Sequence, residues 1–196
     1  MKKNTILLLS LVLLIWAVPV TTQAQRGKDF TAADADLLFK KMQGTHLVKT
    51  MIWQPDQVNF FNSTGSVRYS RNENKILHEE FEIIQPDGVT QQVKGMLRYD
   101  EEKEHFEFVQ FNPKGNAIVM MRGKWDPDFS MIHLDPIKHQ WQLNGKRRKQ
   151  QLQIRYIFFA SGSFKKVLLS PDNTSPSFIV TDYHCLQHNV AQSQQP

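Results

Sequence analysis

The sequence predicts an all-β protein: an antiparallel, up-and-down β-barrel of about ten strands, preceded by one short helix. Three observations carry this expectation. Turn signals recur about every 8–12 residues after Gly44, which is the spacing of short strands in a sandwich or barrel. Apolar and polar residues alternate with a period of two between those turns, which places them on opposite faces of a strand. The connections are too short for parallel crossovers, so neighbouring strands must run antiparallel.

The elements follow in order. Lys2 and Lys3 open the chain, an apolar run extends from Ile6 to Val20, and Thr22-Gln23-Ala24 ends it with small residues at the cleavage-reading positions. This is the pattern of a secretory signal peptide, with cleavage after Ala24 and a mature chain starting at Gln25. Residues 25–30 form a linker. The expected location is the periplasm or the outside of the cell. Of the 196 residues, 172 remain after cleavage, and the formal charge of +5 falls to +3 without Lys2 and Lys3. That size suits one domain, here 31–186. The charge leaves no surplus for nucleic acid. No second apolar run of about 20 residues follows, so no membrane-spanning helix is expected after cleavage.

The helix starts at Thr31. Asp34 stands three residues on and completes a capping box, with Phe30 as the apolar residue before the cap. Leu37, Leu38 and Met42 supply an apolar face, Lys40 and Lys41 suit the C-terminal dipole, and Gly44 ends the helix. Candidate strands cover 45–54, 58–70, 74–85, 90–99, 104–111, 116–125, 129–134, 139–144, 149–159, 164–169 and 177–186. Asp87-Gly88, Asn112-Pro113-Lys114-Gly115, Asn144-Gly145 and Ser161-Gly162 carry the positive-φ chemistry of tight turns. The Gln-rich tail 187–196 lacks large apolar residues after Val190 and is expected to be disordered. Cys185 is the only cysteine, so packing and hydrogen bonds alone hold the fold.

Each strand offers two faces. Val93, Gly95, Leu97 and Tyr99 oppose Lys94, Met96 and Arg98. Val119, Met121, Gly123 and Trp125 oppose Ile118, Met120, Arg122 and Lys124. Ile154, Tyr156 and Phe158 oppose Gln153, Arg155 and Ile157. One face is apolar. The other mixes Met, Ile or Phe with a single arginine, as the wall of an amphipathic cavity would, and alternation alone leaves open which face points inward.

The short helix followed by Gly44-Thr45 and meandering strands resembles the lipocalin-like (calycin) barrels, whose chain enters the barrel through a Gly-x-Trp element. His46 stands here where that tryptophan is expected. Further pieces resemble the bacterial domain-of-unknown-function family 1579: Gly44-Thr45-His46, Ser63-Thr64-Gly65, the run Ile76 to Glu82, Gly95 to Asp100, and Asn112-Pro113-Lys114-Gly115 through Gly123-Lys124-Trp125-Asp126. The resemblance covers 40–135. It implies an exported lipocalin-like barrel and no established chemistry.

Candidate ligand-binding residues are Arg98, Arg122 and Arg155, with Met96 and Met120. A guanidinium inside an apolar cavity pairs with a carboxylate or phosphate head group; the alternative places each arginine in water outside the barrel. Lys146-Arg147-Arg148-Lys149 reads as a solvated hairpin tip. His184, Cys185 and His188 have metal-like spacing, but alternation sends His184 and Cys185 to opposite faces; His133 and His139 flank Pro136 in an irregular stretch. No metal or other cofactor is expected. Glu80 and Glu82 share a face, most simply the polar side of an exposed strand. Neither a nucleophile elbow, a zinc-protease helix motif nor a phosphate-cradling glycine loop occurs, so no catalytic residue is assigned. The expectation is an exported, non-catalytic binder of a small apolar or amphipathic molecule. Its rivals are a hydrolase or isomerase using barrel-mouth residues, a protein-interaction module, and a half-open barrel that carries lipoprotein acyl chains.

Overall fold

The computed structural model describes residues 29–137, 152–170 and 178–186. The predicted leader, the tail 187–196, the candidate strand 139–144, the basic run 146–149, His139 and His188 lie outside them. One helix, α1 (Ala32–Met42), precedes ten strands: β1 (Gly44–Gln54), β2 (Asn59–Arg71), β3 (Leu77–Ile84), β4 (Thr90–Asp100), β5 (His105–Phe111), β6 (Ala117–Asp126), β7 (Met131–Pro136), β8 (Gln153–Phe158), β9 (Phe164–Ser170) and β10 (Phe178–Leu186). Every pair is antiparallel, and β1 joins β10 to close the barrel. The half-open alternative is thereby corrected, because the ladder runs unbroken around the circle.

The helix begins as its sequence requires. The Thr31 hydroxyl accepts from the Asp34 N–H, and the Asp34 carboxylate accepts from the Thr31 N–H at 3.0 Å. Gly44 takes φ +116°, which lets the chain turn from helix into β1. α1 closes one end of the barrel. Leu38, Phe39 and Met42 are buried there, and Phe30 stacks on Trp125 with ring centres 5.1 Å apart. Tyr99 donates its hydroxyl to the Phe30 carbonyl at 3.0 Å, and Arg71 pairs with Asp36. His46 takes the floor position of the barrel. It is buried, its Nε2 lies 2.8 Å from the Met42 carbonyl, and its ring packs edge-on against Tyr69 and Phe164. A smaller aromatic thus fills the entry site and also ties the helix C-terminus to β1.

Strand register settles the question of faces. The apolar sets, from Val93 to Tyr99 on β4 and from Ile154 to Phe158 on β8, point inward, and the mixed faces with their arginines point out. Antiparallel partners share a face, so the pairs Leu97↔Phe108, Phe108↔Met121 and Ile132↔Tyr156 stack buried side chains around the core. The outer face carries Arg68, Glu80, Lys94 and Arg98, with Arg68 and Lys94 both paired to Glu80.

Candidate functional site

The interior is not uniformly apolar. Glu79 on β3 and Lys166 on β9 point inward and form a salt bridge with both side chains almost wholly buried. The Tyr156 hydroxyl donates to Glu79 Oε2 at 2.8 Å, and the Tyr69 hydroxyl lies 3.4 Å from the same oxygen. The Lys166 ammonium sits over three rings, 4.5 Å from the centre of Phe108, 5.1 Å from Phe81 and 5.5 Å from Tyr156. Burial, then the neighbouring Glu79 charge, pushes the Tyr69 and Tyr156 hydroxyls well above their ordinary range. The same two causes raise Tyr183 to about 12. All three phenols are protonated at neutral pH, and those of Tyr69 and Tyr156 donate to Glu79. A buried carboxylate with three donors and a buried ammonium with a counter-charge and three π faces satisfy each other.

Gly95 makes room for this pair. A Cβ there would lie 2.7 Å from Glu79 Oε1 and 2.9 Å from Phe108 Cε2. Gly95 also stands where the barrel wall opens. The β4–β5 ladder ends at Lys94↔Phe111, whereas Thr90 to Val93 pair only with β3. A bulge at Gln110/Phe111 turns the β5–β6 hairpin away. The result is a cleft of about 950 Å³ whose lining includes inward Glu79, Gln91, Val93, Gly95 and Gln110 as well as outward Met96 and Phe111. The half of the barrel beyond Glu79 is walled by Ile52, Val93, Val119 and Leu168, which are only partly buried; the helix-closed half is packed.

The sequence-predicted residues lie elsewhere. Arg98 and Arg122 are on the outer face, where both bind Glu107, at 2.5 Å and 3.3 Å. Arg155 is also outward, opposite His133 and Val167, with its terminal nitrogen 3.5 Å from Gln153 Oε1. Met96 and Met120 flank Val109 on the outside. The expectation of an inward arginine is corrected: none of the three guanidiniums enters the barrel, because register assigns the arginine-bearing face to the outside, where Arg98 and Arg122 are exposed and Arg155 is half-buried beside Val167. Met96 alone of the five reaches the cleft, from its outer side. Glu80 is held by Arg68 and Lys94, and Glu82 by Gln92. Glu79 and Lys166 were missed. Each is a single charge interrupting an apolar alternation, Leu77-x-Glu79-x-Phe81-x-Ile83 and Phe164-x-Lys166-x-Leu168, and that opposite-signed pair of interruptions was the available signal.

His184 and Cys185 do face opposite sides: Cys185 is buried inside, and His184 is outside near Phe159. Asp100, His105 and Glu107 place three ligand-type atoms within 4.8 Å of one another on the outer face. Their charges are already matched. Lys103 binds Asp100 at 2.7 Å, Arg98 and Arg122 bind Glu107, and both His105 nitrogens are engaged, by the Lys103 carbonyl and by Glu107. A metal ion would have to displace these cations, so the cluster is an ion-pair network.

No family model and no curated protein matches the sequence. Among solved structures, the chain is similar to one titled "Crystal Structure of Rv2717c from M. tuberculosis", with a TM-score of 0.53 and 14% identity over 79% of this chain and 97% of that one. At that identity the likeness is one of fold: a ten-stranded antiparallel β-barrel.

Proposed function

We propose that this protein is an exported, non-catalytic binder of a small apolar or amphipathic molecule, held in the open half of the barrel. One observation carries the reading. The interior divides at Glu79 and Lys166 into a packed half closed by α1 and a half with partly buried apolar residues, which the cleft between β4 and the β5–β6 hairpin reaches at Val93 and at Gln110, the strand partner of Val119. Ligand pockets are concave and few per protein, and this concave cleft sets Val93, Met96, Phe111 and Ile118 among carboxamides and charged groups, a lining suited to an amphipathic molecule. The basic start, apolar run and Thr22-Gln23-Ala24 support export, and the motifs within 40–135 support a divergent relationship to family 1579. Cleavage after Ala24 is checked by the intact mass of the secreted protein; retention of the leader in the mature form overturns the export reading.

The binding test is displacement of N-phenyl-1-naphthylamine from purified mature protein by lipids of graded chain length. Val119→Trp fills the open half and should weaken probe binding at least tenfold while thermal unfolding stays cooperative. Arg98→Gln and Met120→Gln, on the outer face and away from the cleft, should bind as wild type. Undiminished binding by Val119→Trp would place the ligand elsewhere, and no binding of any lipid by the wild type would end the reading.

A further inference from the structure

We infer that the site selects an uncharged, hydrogen-bonding head group, such as that of a monoacylglycerol, a fatty alcohol or a fatty amide, over the fatty carboxylate of equal chain length. The inference rests on the binding reading above and adds the chemical class of the ligand. The interior offers no spare charge. Among the described residues the inward lysine and arginines are Lys166, closed by Glu79, and Arg71, closed by Asp36 of α1. At the rim Lys94 is already paired with Glu80, and Asp87 adds a carboxylate to the cleft lining. A carboxylate entering the cleft would shed water and meet no free cation, at a cost that burial makes large. Drawing Lys166 away from Glu79 would only transfer the deficit to a buried glutamate.

What the cleft does offer is carboxamide. Gln91 on β4 and Gln110 on β5 face inward, opposite Ile83 and Gly95, on the two strands that part to form the opening. Among the described residues neither side chain has a hydrogen-bond partner. A carboxamide both donates and accepts, which matches a hydroxyl or amide head and gives a carboxylate only its N–H side. The two groups stand along the cleft, Gln110 beside Gly95 at the end of the β4–β5 ladder and Gln91 on the stretch of β4 beyond it. A neutral head is thereby met by complementary donors and acceptors while its chain lies against Val93 and runs toward Val119, the strand partner of Gln110.

The experiment measures competition by monolauroylglycerol, dodecanol, laurate and dodecylamine at pH 7.5, below their micellar concentrations, against the same fluorescent probe. The neutral ligands should outcompete laurate by at least tenfold. Gln110→Leu should weaken monolauroylglycerol relative to the probe about three- to tenfold, the worth of one neutral hydrogen bond. Gln110→Lys places a free cation at the gap and should reverse the order in favour of laurate. Circular dichroism melts confirm that both variants fold, and Gln91→Leu provides a second removal if one does not. Laurate or dodecylamine binding the wild type as tightly as the neutral ligands overturns the inference while leaving the binding reading intact. Failure of all four ligands, with the probe also unbound, overturns the binding reading itself.

Discussion

At the scale of single residues, the Glu79–Lys166 pair decides most. Removing one partner strands a charge in the core, a loss of about 3–5 kcal/mol in comparable sites. Replacing both leaves no charge in the core, and a carboxamide oxygen at position 79 still accepts from the Tyr156 hydroxyl. Glu79→Gln and Lys166→Met should therefore each lower the urea midpoint sharply, and the double variant should recover much of the loss. Additive losses in the double variant would show that the two side chains act independently. Neither residue stood out in the sequence, for a physical reason. They lie 87 residues apart, and only the closed register brings them into contact. A lysine in an apolar alternation reads locally as a flaw, and so does a glutamate; their meaning is in the pairing. Cys185 shows the other side of this: alternation placed it opposite His184, and closure of the barrel decided that it is the buried one of the two. Burial, then the nearby Glu79 charge, pushes its pKa upward, so the reactive thiolate is scarce. Ellman's reagent should leave the native protein unmodified at pH 8 and label one thiol in denaturant. Rapid native labelling would show that β10 opens locally.

At the scale of elements, α1 and the tight turns were legible because their determinants are local. The capping box formed with Asp34 in the usual glutamate place, and Gly88, Gly115 and Gly162 took the positive φ angles expected of their turns. The two faces of each strand were equally legible. Which face turned inward was not, because alternation has a period and no sign; the sign comes from closure around the core. The ion pairs on the outside give the elements a pH dependence. Arg71, then Lys40, hold Asp36 below its ordinary carboxyl range, Arg68 and Lys94 do so for Glu80, and Lys103 does so for Asp100. For Glu107, partial burial works against this, and hydrogen bonds from His105 and Arg98 outweigh it. A carboxyl whose pKa is lowered by folding binds fewer protons in the native state than in the unfolded one. Its stabilisation is therefore complete above the unfolded value of about 4 and is lost as pH falls through the folded value. The urea midpoint should hold between pH 6 and 7 and fall below about pH 4. Asp36→Asn, which also loosens the helix from Arg71, should flatten that fall. An unchanged acid profile in Asp36→Asn would remove this latch from the account.

At the scale of the whole molecule, the barrel is a chain of local hairpins closed by one distant pairing. β2 to β7 join neighbours in sequence, whereas β1 meets β10 from the far end of the chain, with Val48 opposite Cys185 and Thr50 opposite Tyr183. Closing that loop orders most of the backbone before its contacts form, so folding should be slow, in milliseconds to seconds. The order of events follows from the same argument. The β4–β5–β6 meander, with Phe108 between Leu97 and Met121, costs little loop entropy and should form early. The β1–β10 seam should form late. A substitution in the meander then slows refolding, and one in the seam chiefly speeds unfolding. Stopped-flow chevrons of Phe108→Leu and Cys185→Ala, each expected to cost about 1–2 kcal/mol, test the assignment. Phe108→Leu should carry most of its loss in the folding limb. Cys185→Ala should carry most of it in the unfolding limb. Equal slowing of refolding by both would mean that the ends of the chain meet before the meander is built, and that closure of the barrel, rather than its hairpins, is the nucleus.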